Sequence, residues 1–272
     1  ALKAAQVGLS MGDGTSVAKE ASDITILDNS FSSIGKAVMW GRSLYLNIQR
    51  FILFQMTINV AACIIVLFGA FLGVQSPLTV TQMLWVNLIM DTFAALALAS
   101  LPPSQRVMND PPRQRKANII TKEMARGIFG VGGLFVLLLF GFIQYFKNED
   151  ITSLTQFSIT DYFANFFHFG SFENGLSAYE LSLFFSIFVM LQFWNMFNAK
   201  AYRTGRSAFA EIGKSQGFIM IAAAIIIGQV VITTFGGAMF SVTPLLLTDW
   251  CLIIAATSLV LWIGELLRLI KR

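Results

Sequence analysis

Charge is scarce in this sequence. Only 12% of its 272 residues are Asp, Glu, Lys or Arg, where soluble domains carry roughly a quarter. Most of the surface of such a chain cannot face water. Histidine is scarcer still: His168 stands alone, which excludes a zinc or catalytic centre built on several histidines. The two cysteines, Cys63 and Cys251, lie in apolar stretches and are expected to be small buried hydrophobes instead of a disulfide or metal site. No proline interrupts residues 32–68. No initiator Met or signal peptide opens the chain, so it is expected to begin inside a folded domain.

Apolar residues are what the sequence has in abundance, at 56%. They gather into six stretches almost free of charge, about 51–73, 78–101, 127–146, 181–199, 217–240 and 249–267. Each matches the roughly 20 residues that a helix needs to cross a bilayer. Backbone polar groups in lipid must be satisfied within the segment, so helices are expected. The fold class is an all-α membrane protein: a six-helix transmembrane bundle over residues 51–272, a cytoplasmic stalk helix over 32–50, and a short α/β remnant over 1–31. The remnant reads as strand, helix and strand around Val7–Gly12, Thr15–Ala21 and Ile24–Leu27. The stalk and first span are expected to form one continuous helix, with a break near Gly41 as the alternative.

Lys and Arg collect on one side of these spans. Arg106, Arg113, Arg115, Lys116, Lys122 and Arg126 follow the second span, and Lys200, Arg203, Arg206 and Lys214 follow the fourth. The other side carries Lys147 beside five acidic residues. The positive-inside rule then puts both termini in the cytoplasm. The net charge of +4 reports that topology, and no nucleic-acid partner is expected. The lipid bilayer is. On the outer side, Gln75-Ser76-Pro77 is expected to turn tightly. The aromatic-rich 147–180 loop, with Phe163, Phe166, Phe167, Phe169 and Phe172, is expected to lie at headgroup level.

Polar residues inside the spans carry the functional signal. Asp91 sits near the middle of the second span, and intramembrane carboxylates mark ion or proton pathways. Asn87, four residues earlier, is expected one helical turn away on the same face. Asn59 lies mid-membrane in the first span, with Thr57 close by. The fourth span adds Gln192, then Asn195 and Asn198, for which interhelical hydrogen bonding is an equal alternative. Carboxylate and amide oxygens are hard ligands of the kind Ca²⁺ accepts. These residues by themselves reach a cation or proton path and leave the ion open. A passive cation channel and a pump for another ion such as Mn²⁺ are the alternatives.

The order of these residues resembles a known family. Ala1–Gly8, Val17–Asp23, Asn29–Ile34 and Gly41-Arg42 are similar to the end of the phosphorylation domain and the stalk of P-type ATPases. Leu84-Trp85-Val86-Asn87-Leu88-Ile89-Met90-Asp91-Thr92 resembles the sixth transmembrane helix of calcium pumps, especially the plasma-membrane type. Sodium/potassium pumps usually carry Asp at the position of Asn87. The resemblance implies that the six spans are the family's fifth to tenth helices, and that Asn59, Asn87 and Asp91 are calcium ligands. Gln192 and Thr57 are candidates for the ion path or the groups behind it. Ala62, Met90 and Gln192 stand where the two-site sarcoplasmic-reticulum type has ligands. That implies one Ca²⁺ per cycle, exported from the cytoplasm across the plasma (inner) membrane, with proton countertransport. The phosphorylated aspartate, the nucleotide and actuator domains and the fourth helix are not in this sequence. ATP and Mg²⁺ are therefore expected to bind outside it, on the N-terminal part of the same pump. The fragment alone is expected to hydrolyse no ATP. Asp13, in Gly12-Asp13-Gly14-Thr15, is expected to be a loop residue.

Overall fold

The computed structural model describes every residue except 72, 74–76, 115, 169–175 and 271–272. Gln75 and Ser76 of the expected outer turn, Arg115, and Phe169 and Phe172 of the aromatic loop lie outside the described residues. The chain divides into two compact units, and one long helix contributes to both.

The first unit comprises Ala1–Leu46 and Pro102–Ala117. Strands β1 (Leu9–Met11) and β2 (Ile24–Ile26) pair in parallel, Leu9 opposite Ile24 and Met11 opposite Ile26. Helix α1 (Ser16–Ala21) joins them, started by the Thr15 hydroxyl accepting from the Ala18 N–H. Asp13 is a loop residue: its N–H donates to Asn29 Oδ1 at 3.1 Å, and Asn29 returns a bond to its carboxylate. Asn29 manages this in the left-handed region, at φ 53°, a conformation that Asn tolerates better than most residues. Asp28 then accepts from the Ser33 hydroxyl and the Ser30 N–H. Those two bonds, the hydroxyl's first, hold its carboxyl below the usual carboxylate range.

Helix α2 runs without a break from Phe31 to Phe71, 41 residues, through Gly41. In the first unit it anchors the 102–117 segment. Arg42 donates to the carbonyls of Val107 (3.1 Å) and Asp110 (2.8 Å), Ser43 accepts from the Ser104 N–H, and Arg113 stacks over the Tyr45 ring at 4.2 Å.

The second unit, Asn47–Leu101 with Asn118–Arg272, is the bundle. Six helices are long and apolar enough to cross a membrane: α2, α3 (Val80–Ala99), α4 (Lys122–Asn148), α6 (Ala178–Lys200), α7 (Gln216–Phe235) and α8 (Leu247–Ile270, with a turn at Ser258). The fifth stops at Phe235, five residues short of the expected 240, because Gly236-Gly237 breaks it; Gly237 is at φ 46°. Helix α6 is the axis. Its membrane-spanning stretch is 89% buried, against 28–44% for the other five, and apolar residues occur on every side of it, as an enclosed helix requires. The other helices keep one face outward, and Cys63 and Cys251 lie on such faces. Both are exposed and free, a correction to the expectation that they are buried. A small apolar side chain suits the outside of a bundle that lipid covers.

The aromatic loop also departs from expectation in part. Short helix α5 (Ile159–Asn165) folds back on α4, burying Tyr162 among Phe142, Tyr145 and Phe157. The Tyr162 hydroxyl donates to the Leu138 carbonyl at 2.8 Å. Phe163 and Phe167 remain exposed.

Candidate cation site

Helix α3 begins with a capping box. The Thr79 hydroxyl accepts from the Gln82 N–H, and the Gln82 side chain accepts from the Thr79 N–H, satisfying two orphan donors reciprocally. The helix does not then continue as a plain α-helix. Trp85–Met90 form a π turn, so the Asp91 N–H reaches back five residues to the Val86 carbonyl. Such turns insert one extra residue into the ladder and are frequent at functional sites.

Asp91 follows that turn directly. It is 3% exposed, and among the described residues neither carboxylate oxygen has a hydrogen-bond partner. A buried polar group without partners is costly, and inside a membrane such groups are rare and functional. The Gln55 side chain of α2 adjoins the carboxylate, but not with the geometry of a formed bond. No group of three or more acidic, Cys or His side chains that could hold a metal occurs among the described residues. A cation at Asp91 would draw mainly on amide, hydroxyl and backbone oxygens.

The π turn corrects the expected relation between Asn87 and Asp91. Asn87 lies within the widened turn, so the two are not one α-helical turn apart. Asp91 is buried, whereas Asn87 is exposed. Asn59 on α2 is half-buried. Gln55, which sequence reasoning overlooked, shares the face of Asn59 at four-residue spacing, and that spacing was the signal that could have found it. Thr57 points elsewhere. Its hydroxyl donates to the Leu53 carbonyl one turn back at 2.8 Å, and its carbonyl faces Gly132 on α4.

Thr57 also lines a cavity of about 300 Å³ with Asn195 and Asn198 of α6. Asn198 is interhelical glue: it donates to the Val260 carbonyl at 3.0 Å and accepts from Arg268 at 3.0 Å. Gln192 is different. It is completely buried, and its amide nitrogen and oxygen both lack partners among the described residues. Ala62 and Met90 are also completely buried.

Residues 75–270 match the family model described as "Cation transporting ATPase, C-terminus". The chain belongs to this family. Among curated relatives of this cation-ATPase segment, it is 38% identical over 263 residues to the plasma membrane calcium-transporting ATPase mca-1 of Caenorhabditis elegans. It is 41% identical over 258 residues to plasma membrane calcium-transporting ATPase 2 of Oreochromis mossambicus. To plasma membrane calcium-transporting ATPase 4 of Homo sapiens it is 39% identical over 273 residues. These alignments cover 96%, 92% and 98% of the chain, but only 20%, 21% and 20% of the relatives. The cation-ATPase segment thus spans about a fifth of the length of the curated relatives it matches.

Proposed function

We propose that the chain is the C-terminal membrane part of an ATP-driven pump that exports Ca²⁺ from the cytoplasm, with Asp91, Asn87 and Asn59 as ligands. The observation that carries this reading is the Asp91 carboxylate, buried and without a hydrogen-bond partner among the described residues, directly after a π turn. Support comes from the likeness to relatives named as plasma membrane calcium-transporting ATPases. Ca²⁺ takes six to eight oxygens, more than three side chains supply. The exposed Asn87 and half-buried Asn59 leave room for oxygens from the fourth helix of the intact pump and from water. Gln192 and Thr57 belong to the ion path or stand behind the ligands.

One Ca²⁺ moves per cycle in this reading, since Ala62 and Met90 offer no side-chain oxygen, with protons returning. Residues 1–31 end the phosphorylation domain, 32–50 form the cytoplasmic stalk, and 51–272 form the transmembrane domain of a plasma-membrane protein with both termini inside. ATP and Mg²⁺ act on the N-terminal part of the pump, and α2 transmits the change to Asp91 as a coupling between two distant sites. The chain alone hydrolyses no ATP.

The test is Asp91→Asn in the intact pump, with phosphorylation by ATP measured against free Ca²⁺. Loss of calcium-dependent phosphorylation is expected, and a wild-type calcium dependence overturns the assignment. Wild-type pump activated by Mn²⁺ but not Ca²⁺ would change the ion and leave the site. Ion flux without ATP would replace the pump by a channel.

A further inference from the structure

Trp85 is the first residue of the π turn and is held from two sides. Its indole N–H donates to Gln229 Oε1 on α7 at 3.0 Å. The ring edge rests on Gly228, where a Cβ would come within 2.9 Å of it. Gln229 is completely buried and is itself oriented: its amide nitrogen donates to the Thr233 hydroxyl at 3.3 Å, and that hydroxyl donates to the Gln229 carbonyl at 2.8 Å. The acceptor oxygen therefore faces the indole. Near the start of α3, Gln82 donates to the Phe240 carbonyl at 2.9 Å, beyond the end of α7. Near the end of α3, the Ser100 side chain packs on Gly217, where a Cβ would lie 3.1 Å from the Ser100 hydroxyl oxygen.

The ligand-bearing helix is thus clamped ahead of its π turn and again after it, with Asn87 and Asp91 in between. A π turn holds one surplus residue and can migrate along a helix by exchanging five-residue for four-residue hydrogen bonds. Its place is set by whichever flank cannot rotate. Trp85 is the anchored flank that adjoins the turn itself, and none of its anchors is among the proposed cation ligands. We infer that Gln229 is a positioning residue: acting through Trp85, it fixes where the π turn sits and so sets the affinity of the Asp91 site for calcium. The inference rests on Asp91 being a ligand.

The test uses the intact pump, with phosphorylation by ATP normalised to the amount of folded protein. Trp85→Phe deletes the donor and keeps a ring over Gly228. Gln229→Met deletes the acceptor at similar length. Each is expected to raise the half-maximal calcium concentration about threefold, the worth of one interhelical hydrogen bond in a membrane. Maximal phosphorylation should stay unchanged. The double variant should match either single one, because one bond is removed in all three. Gly228→Ala, which displaces the indole while leaving the Trp85 and Gln229 side chains chemically intact, should shift the same way. Lower thermal stability with calcium dependence unmoved in Trp85→Phe and Gly228→Ala would overturn the inference, and so would single shifts that multiply in the double. Asp91→Asn run alongside separates the two ideas. If it abolishes calcium dependence while Trp85→Phe changes nothing, the positioning role alone fails. If Asp91→Asn behaves as wild type, the site itself fails.

Discussion

The Asp91 N–H bonds to the Val86 carbonyl, five residues back, where an α-helix would use Asn87. One surplus residue therefore separates the part of α3 anchored by Trp85 from the part that carries the carboxylate.

Removing that residue should test the turn directly. Leu88 lies in the π turn and is 58% exposed, so its deletion lets α3 close as a plain α-helix with both flanks still in register. The pump should fold. Its half-maximal calcium concentration should rise by about 10–100-fold, the usual effect of disturbing the groups that orient metal ligands. Calcium titration of phosphorylation checks this.

Gln192 buries two polar atoms on α6 that have no partner among the described residues, and each such atom costs about 1–3 kcal/mol. Gln192→Leu should therefore raise the melting temperature measured in calcium chelator. It should also weaken calcium activation a few-fold, as expected where stability has been given up for function. A variant that is more stable with unchanged calcium activation would remove Gln192 from the ion path.

Tyr162 should make the segment between α4 and α6 sensitive to alkali. Burial pushes its phenol up to about 12, against about 10 in an unfolded chain. The folded state therefore holds this proton more tightly. The resulting stability is fully present below pH about 10 and is lost as pH rises toward 12. Tyr162→Phe should flatten thermal stability across that window, at a cost of about 1 kcal/mol at neutral pH for the lost bond to Leu138. Gly141→Ala should cost more, because the added methyl would overlap the Tyr162 ring.

Asp249 is completely buried at the start of α8. It accepts from the Ser153 hydroxyl (2.8 Å), the Leu154 N–H (3.1 Å) and the Tyr179 hydroxyl (2.5 Å). Asp249→Ala would remove the acceptor of all three donors and should destabilise the bundle by about 3 kcal/mol. Faster proteolysis within residues 151–156 should accompany the loss, whereas Asp249→Asn, which keeps an acceptor, should lose less.

Six spans, the unbroken α2 and the singular place of Asp91 were all legible in the sequence. Each of these rests on composition or local spacing: charge-free length, the absence of proline, and one carboxylate among apolar residues. Four-residue spacing could also have put Gln55 on the face of Asn59 and Thr57 on another, but only Asn59 and Thr57 are named from the sequence. The π turn was beyond its reach, since Trp85–Met90 reads as ordinary helix and the surplus residue is held by contacts with Gly228 and Gln229, 143 and 144 positions away. Tertiary packing alone settled the opposite fates of Asn198, bonded to Val260 and Arg268, and Gln192, bonded to nothing described. Both are amides on one helix, and what distinguishes them is which neighbouring helix supplies a partner.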